Sequence, residues 1–260
     1  MIGIFDSGVG GLSLLRELEL CLPKADILYL ADNACFPYGS RPPQWLRNRA
    51  AAITRILIER GCHLVVVACN TATVVAIESL RKNFPAPFVG IVPPVKVAAA
   101  REPEKPIVVL MTENTAEGSK YTELVRAHAG GARVEEVRLP LLAEMVEDLE
   151  FREPKAAGRI VRDVRKLLGG RDRGCRLVLG CTHYVFLRPL LEEGLGPGVE
   201  VLDPCAAVAA QVLRVCDQQG IPAAESGARK FLSTGDPERF AEQVEVLLGI
   251  KMLEVEMIEL

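Results

Sequence analysis

The chain has 260 residues, 49% hydrophobic and 25% charged, with a net charge of −3, the composition expected of a soluble globular protein with a sizeable core in one large or two modest domains. No Lys/Arg block or basic stripe occurs, which excludes a nucleic-acid footprint, and no apolar run approaches the ~20 residues that a bilayer span needs. The start of the chain, MIGIFDSGVGG, does not read as a secretion signal, so the eight cysteines are expected to be reduced thiols of a cytoplasmic protein. They include no CxxC, and no metal site is expected.

In chain order, short β-branched apolar runs predict strands at 2–5, 27–31, 64–68, 88–91, 107–111, 133–138, 176–179, 199–202 and 229–233. Apolar residues at i, i+3 and i+4 predict helices over 10–20, 43–60, 72–83, 155–168 and 204–218. This alternation predicts an α/β fold with mainly parallel sheet, its strands buried on both faces. Charge and two prolines within 97–106 mark a division, and 203–208 is a second candidate crossing. The expected domains are 1–97 plus 207–260, and 98–206. The tail 250–260 alternates polar and apolar residues and fits either a strand or a frayed end.

Three segments carry candidate chemistry. In DSGVGGLS (6–13), Asp6 ends the first strand and glycines 8, 10 and 11 permit positive φ and close backbone approach. The helix that follows offers an anion site, unless the segment is only a glycine-rich turn capped by Asp or Ser. A dinucleotide fingerprint is weak, because Ser13 stands where its third glycine would be. ADNACFPYGSRPP (31–43) follows the second strand at its C-terminal end, where open α/β sheets bind ligands. Tyr38 and Gly39 there offer a hydroxyl and a backbone N–H; the plainer alternative is a proline-rich loop before a helix opened by Pro42 and Pro43.

The third element is duplicated. Cys69 closes one apolar run and Cys181 another, each followed by hydroxyl or amide residues (Asn70-Thr71, Thr182-His183) and a helix-like segment. A helix N-terminus favours thiolate and draws a thiol pKa from ~8.5 toward neutral. Asn70, Thr71, Thr182 and the adjacent N–H groups can hold a carboxylate. His183 is the one histidine of three beside such a thiol. Two matching thiols in different halves suit a reaction that takes a proton from one face of a carbon and returns one to the other. A Cys-His nucleophilic hydrolase or transferase competes, but leaves the second cysteine unexplained. A non-catalytic amino-acid-binding protein needs neither thiol.

DSGVGG (6–11), DNACFPYG (32–39), ACNTAT (68–73), LPLLAEMVE (139–147) and GCTHY (180–184), in this order and spacing, resemble the glutamate racemases of the aspartate/glutamate racemase superfamily. The resemblance implies two similar α/β domains, each a mainly parallel sheet flanked by helices, facing a central cleft that holds the active site. It implies cofactor-independent interconversion of L- and D-glutamate, supplying the D-isomer for peptidoglycan, with racemisation of another acidic amino acid such as aspartate as the alternative. A homodimer is expected. Cys69 and Cys181 match the catalytic thiols, with Asp6 near the first and His183 and Glu147 near the second. Asp6, Ser7, Pro37, Tyr38, Gly39, Asn70, Thr71, Thr115, Thr182 and His183 match substrate-contacting positions. The chain departs from the family at Cys35, often basic there, and at Val92-Pro93-Pro94, often Ile-Glu-Pro. It departs also at 112–118, where Thr-x-Gly-Thr-x-x-Ser is common, and at Val185, where proline is usual. These departures bear on cleft shape and dimer mode and remove no proposed base.

Overall fold

The computed structural model describes residues 1–260 except 102–103, 140, 172–173, 222–225 and 252. Two residues of the division expected at 97–106, and Pro140 of the LPLLAEMVE segment, therefore lie outside the described residues. The chain opens with β1 (Ile2–Asp6), α1 (Leu12–Cys21), β2 (Ile27–Ala31), α2 (Pro43–Glu59), β3 (Leu64–Val67), α3 (Asn70–Asn83) and β4 (Phe88–Gly90). There follow α4 (Val95–Arg101), β5 (Ile107–Met111), α5 (Glu113–Glu117), α6 (Ser119–His128), β6 (Val134–Arg138), α7 (Leu141–Glu147), α8 (Pro154–Leu168), β7 (Cys175–Leu179), α9 (Arg188–Leu195) and β8 (Val199–Leu202). The last elements are α10 (Cys205–Gln219), β9 (Arg229–Ser233), α11 (Pro237–Leu248) and β10 (Val255–Met257).

The strands form two sheets, one in the order β10-β9-β2-β1-β3-β4 and one in the order β6-β5-β7-β8, with parallel pairing throughout. The chain leaves the first sheet after β4 and re-enters it at β9, where Ile27 pairs with Arg229. Every residue of β1, β3, β5 and β7 is buried, as strands covered by helices on both faces must be. The helix pair α1 and α10 and the pair α2 and α3 supply two of those covers. One apolar cluster runs from Ile4, Leu14 and Tyr29 in the first half to Leu110, Leu177 and Leu187 in the second. The tail is a strand: β10 extends the edge of the first sheet beside β9.

The β1–α1 turn uses its glycines differently from the expectation. None of Gly8, Gly10 and Gly11 has positive φ; that of Gly11 is −65°. Close approach is what they supply. A Cβ on Gly8 would fall 2.6 Å from Glu147 Oε1, one on Gly10 would fall 2.5 Å from Thr182 Oγ1, and one on Gly11 would fall 2.8 Å from the Tyr29 hydroxyl. The second half of the chain is thus seated directly on this turn. Tyr29 fixes it from below: its buried hydroxyl donates to Gly8 O at 2.8 Å, and its ring stacks on Phe240. Tyr29→Phe leaves that carbonyl unpaired and should cost about 1–3 kcal/mol of unfolding free energy. Urea titration should show a lower midpoint with an unchanged slope.

Candidate active site

The C-terminal ends of β1, β3, β5 and β7 meet between the two sheets. A single cavity there is lined by both sulfurs, Cys69 and Cys181, with Ser7, Pro37, Tyr38, Gly39, Asn70, Thr71, Thr182 and His183. Phe36, Thr112 and Ala143 complete it. Three expected residues stand behind the lining. Asp6 is fully buried and accepts from Gly8 N at 2.9 Å and Thr182 Oγ1 at 3.0 Å. Thr115 supports Thr71 and Thr112 in a triangle of hydroxyls 2.9–3.2 Å apart. Glu147 backs His183. The lining hydroxyl of this segment is Thr112, whose signal in the sequence is its place as the first threonine of Thr-x-x-Thr after an apolar strand. In this closed state the cavity encloses about 20 Å³, room for one water-sized sphere.

The two thiols sit in different electrostatic settings. Cys69 is the N-cap of α3, and Ala72 N–H donates to its sulfur at 3.5 Å. The expected drift of its pKa toward neutral does not occur: burial, aided by the Asp6 charge, outweighs the helix end and pushes the thiol well above its usual range. Burial also raises Asp6, to about 6, against the opposing effects of His183, Gly8 N–H and the Thr182 hydroxyl. Cys181 does not cap an α-helix. A 3₁₀ turn, His183–Leu187, separates it from α9. In place of a helix end it has the imidazole of His183, with Nδ1 3.9 Å from its sulfur.

His183 is itself held. Its Nε2 lies 2.8 Å from Glu147 Oε2, and Phe36 packs against the ring at 5.1 Å. Glu147 also accepts from Val9 N at 3.0 Å and from Asn33 Nδ2 at 2.9 Å. Burial opposes both charges. The hydrogen bonds to Cys181 and Glu147 nevertheless raise His183 well above its usual range. The bond and charge of His183, with Val9 and Asn33, hold Glu147 below the usual carboxylate range. The pair is therefore an imidazolium and a carboxylate, with Nδ1–H left to face the Cys181 sulfur.

Asn70 is 2% exposed and lines the cavity, yet neither Oδ1 nor Nδ2 has a hydrogen-bond partner. A buried amide left unpaired is costly, and a polar ligand relieves it. Tyr38 contributes its ring and backbone but not its hydroxyl, which donates to Asp32. Arg49 holds the same carboxylate through Nε at 2.8 Å and Nη2 at 2.6 Å. Among the described residues no group of three or more His, Cys, Asp or Glu is placed to hold a metal ion, and no helix is long and apolar enough to cross a membrane.

The His183–Glu147 pair is testable by pH. The contribution of Glu147 is present above its unfolded pKa of ~4.3 and is lost as pH falls through its depressed folded value. That of His183 is complete below ~6.5 and is lost only as pH rises through its raised folded value. The His183 imidazole should therefore remain protonated by NMR through neutral pH. In Glu147→Gln it should titrate lower, and the loss of Tm should be large at pH 6 and shrink below pH ~4.

A family model for Asp/Glu/hydantoin racemases matches residues 10–212. The glutamate racemase of Roseiflexus sp. is 44% identical over 248 residues, spanning 94% of this chain and 90% of that protein. The crystal structure of Escherichia coli glutamate racemase in complex with L-glutamate and the activator UDP-MurNAc-Ala superposes with a TM-score of 0.86 at 32% identity, covering 98% of this chain and 96% of that one. A glutamate racemase isoform of Bacillus anthracis superposes with a TM-score of 0.87 at 27% identity, covering 100% and 97% of the two chains.

Proposed function

The chain belongs to the Asp/Glu/hydantoin racemase family, and on that premise we propose that it interconverts L- and D-glutamate through Cys69 and Cys181, without a cofactor. The observation that carries the reading is that Cys69 and Cys181, from opposite halves, line one cavity, with Asp6 buried behind it and His183 beside Cys181. The Cα–H of an amino acid is a weak acid, so the site must supply fixed dipoles and charges where the carbanion forms. The unpaired Asn70 amide, the Thr71 hydroxyl and the start of α3 are suited to the α-carboxylate. Ser7, Thr182 and the Gly39 backbone are left for the side-chain carboxylate. A shorter acidic side chain leaves some of these donors unpaired, which disfavours aspartate.

In one direction Cys181, acting as a thiolate beside the His183 imidazolium, takes the Cα proton. The neutral Cys69 thiol then gives its own proton to the opposite face. One thiolate and one thiol are present before and after, with their positions exchanged. In the other direction Cys69 must first lose its proton, which Asp6, with a pKa of about 6, receives, while the His183 imidazolium gives one to Cys181. The reaction therefore needs one thiolate and one thiol at the same time.

In the cell the protein is proposed to act as a cytoplasmic homodimer supplying D-glutamate for peptidoglycan, with residues 1–97 plus 207–260 as one domain and 98–206 as the other. Support for that division comes from β9 and β10, which hydrogen-bond within the first sheet.

Incubation with L-glutamate in deuterated water should remove the Cα–H NMR signal and the optical rotation together. Cys69→Ala and Cys181→Ala should each lose racemisation by at least about 10³-fold while keeping the far-UV dichroism of the parent. Near-normal turnover in either variant would replace the two-thiol scheme. In the direction that uses Cys69 as base, kcat/KM should rise through pH about 6 as Asp6 ionises. Asp6→Asn should flatten that limb and slow the same direction more than the other.

A further inference from the structure

Asn114 is the second residue of α5, within the segment Thr112–Gly118. Its side chain crosses the cleft. Nδ2 donates to Tyr38 O at 3.0 Å and to Arg41 O at 2.8 Å, so both amide hydrogens are used. These carbonyls belong to the 3₁₀ turn Tyr38–Ser40 and its C-cap, which form one wall of the cavity. That turn follows β2 of the first sheet, whereas Asn114 lies in α5, after β5 of the second. Beside the contact, Gly39 lies so near Thr112 that a Cβ would meet its Cβ at 3.1 Å. The cavity that this turn walls holds about 20 Å³, far less than an amino acid, so a wall of it must move for a substrate to enter.

We propose that Asn114 is a positioning residue that latches the Tyr38–Arg41 turn onto α5 and must let go at each substrate entry and product exit. This rests on the racemase reading above. Asn114 makes no bond to the cavity's contents; it acts through the turn. In this proposal the two hydrogen bonds re-form once substrate is inside. A contact made equally in both states shifts no binding equilibrium; it slows entry and exit alike.

The chain carries its own reporter. Trp45, its single tryptophan, packs edge-on to Tyr38 at 5.9 Å and lies under the Arg41 guanidinium at 5.3 Å. Its fluorescence should respond when the turn moves. Stopped-flow mixing with D-glutamate should give relaxation at least about fivefold faster in Asn114→Gly than in the parent. Asn114→Asp, similar in shape but without the donor, should do the same. The half-saturating concentration should stay within about twofold. Amide hydrogen exchange at 38–41, measured without glutamate, should accelerate in both variants. Unchanged exchange and relaxation would overturn the latch. So would a half-saturation that weakens as much as relaxation quickens, because Asn114 would then stabilise the bound state itself. If the parent leaves the Cα–H of glutamate unexchanged in deuterated water, the racemase reading fails instead. The exchange arm, free of glutamate, still decides the latch.

Discussion

The carboxylate of Glu147 is where the two halves of this protein are fastened. It is nearly fully buried and takes donors from three separate stretches of chain: Val9 after β1, Asn33 after β2 and His183 after β7. A buried charge tolerates little displacement, because removing one partner of such a pair costs about 3–5 kcal/mol. The requirement propagates outward. Gly8 must lack a side chain for the carboxylate to reach Val9 N–H. Gln243 of α11 donates to the Glu147 carbonyl and so ties the returning C-terminal segment to the same point. His183 can hold its ring toward Cys181 only because its other nitrogen is occupied.

From that fastening comes the asymmetry of the site. Two thiols occupy equivalent ends of two parallel sheets, yet one is surrounded by burial and an acid and the other by a cation. Identical settings would give both sulfurs the same proton affinity, and a proton relay with one full and one empty station would then have no preferred resting arrangement. In the proposed proton relay, unlike neighbours distinguish the two stations. The acid beside Cys69 is itself tuned by burial into the range where it can exchange a proton near neutral pH.

The sequence carried the parts that depend on local pattern. Apolar runs between helical periods located the strands, and Cys69 with Asn70 and Thr71 was legible because strand, cap and helix are contiguous. Short helices were less so: α5 and α7 span about one to two turns, too few for a period to register. α11 was readable in principle, since Asp236 caps it, Pro237 begins it, and Phe240, Val244 and Leu247 recur at helical spacing. Non-local facts left no trace in order or spacing. That Tyr38 turns its hydroxyl to Asp32 depends on Arg49 arriving from α2 to share the same carboxylate. That a cation stands in for a helix end at Cys181 depends on a 3₁₀ turn where an α-helical start was expected. That burial overrides the helix end at Cys69 depends on how completely the halves close. Glu147 was carried by resemblance alone; its reach to Val9 and Asn33 is a property of the assembled fold.

The closed cleft also bears on chemical durability. The proposed two-thiol mechanism would keep one sulfur ionised, a target for peroxides and other electrophiles, since oxidation to sulfenic acid follows thiolate character and access. Here Cys69 and Cys181 are only 6% and 8% exposed. Access is what the fold withholds. On the proposed mechanism an oxidant reaches the sulfurs by the same opening that admits substrate, so damage would accrue with the time spent open rather than with the lifetime of the thiolate.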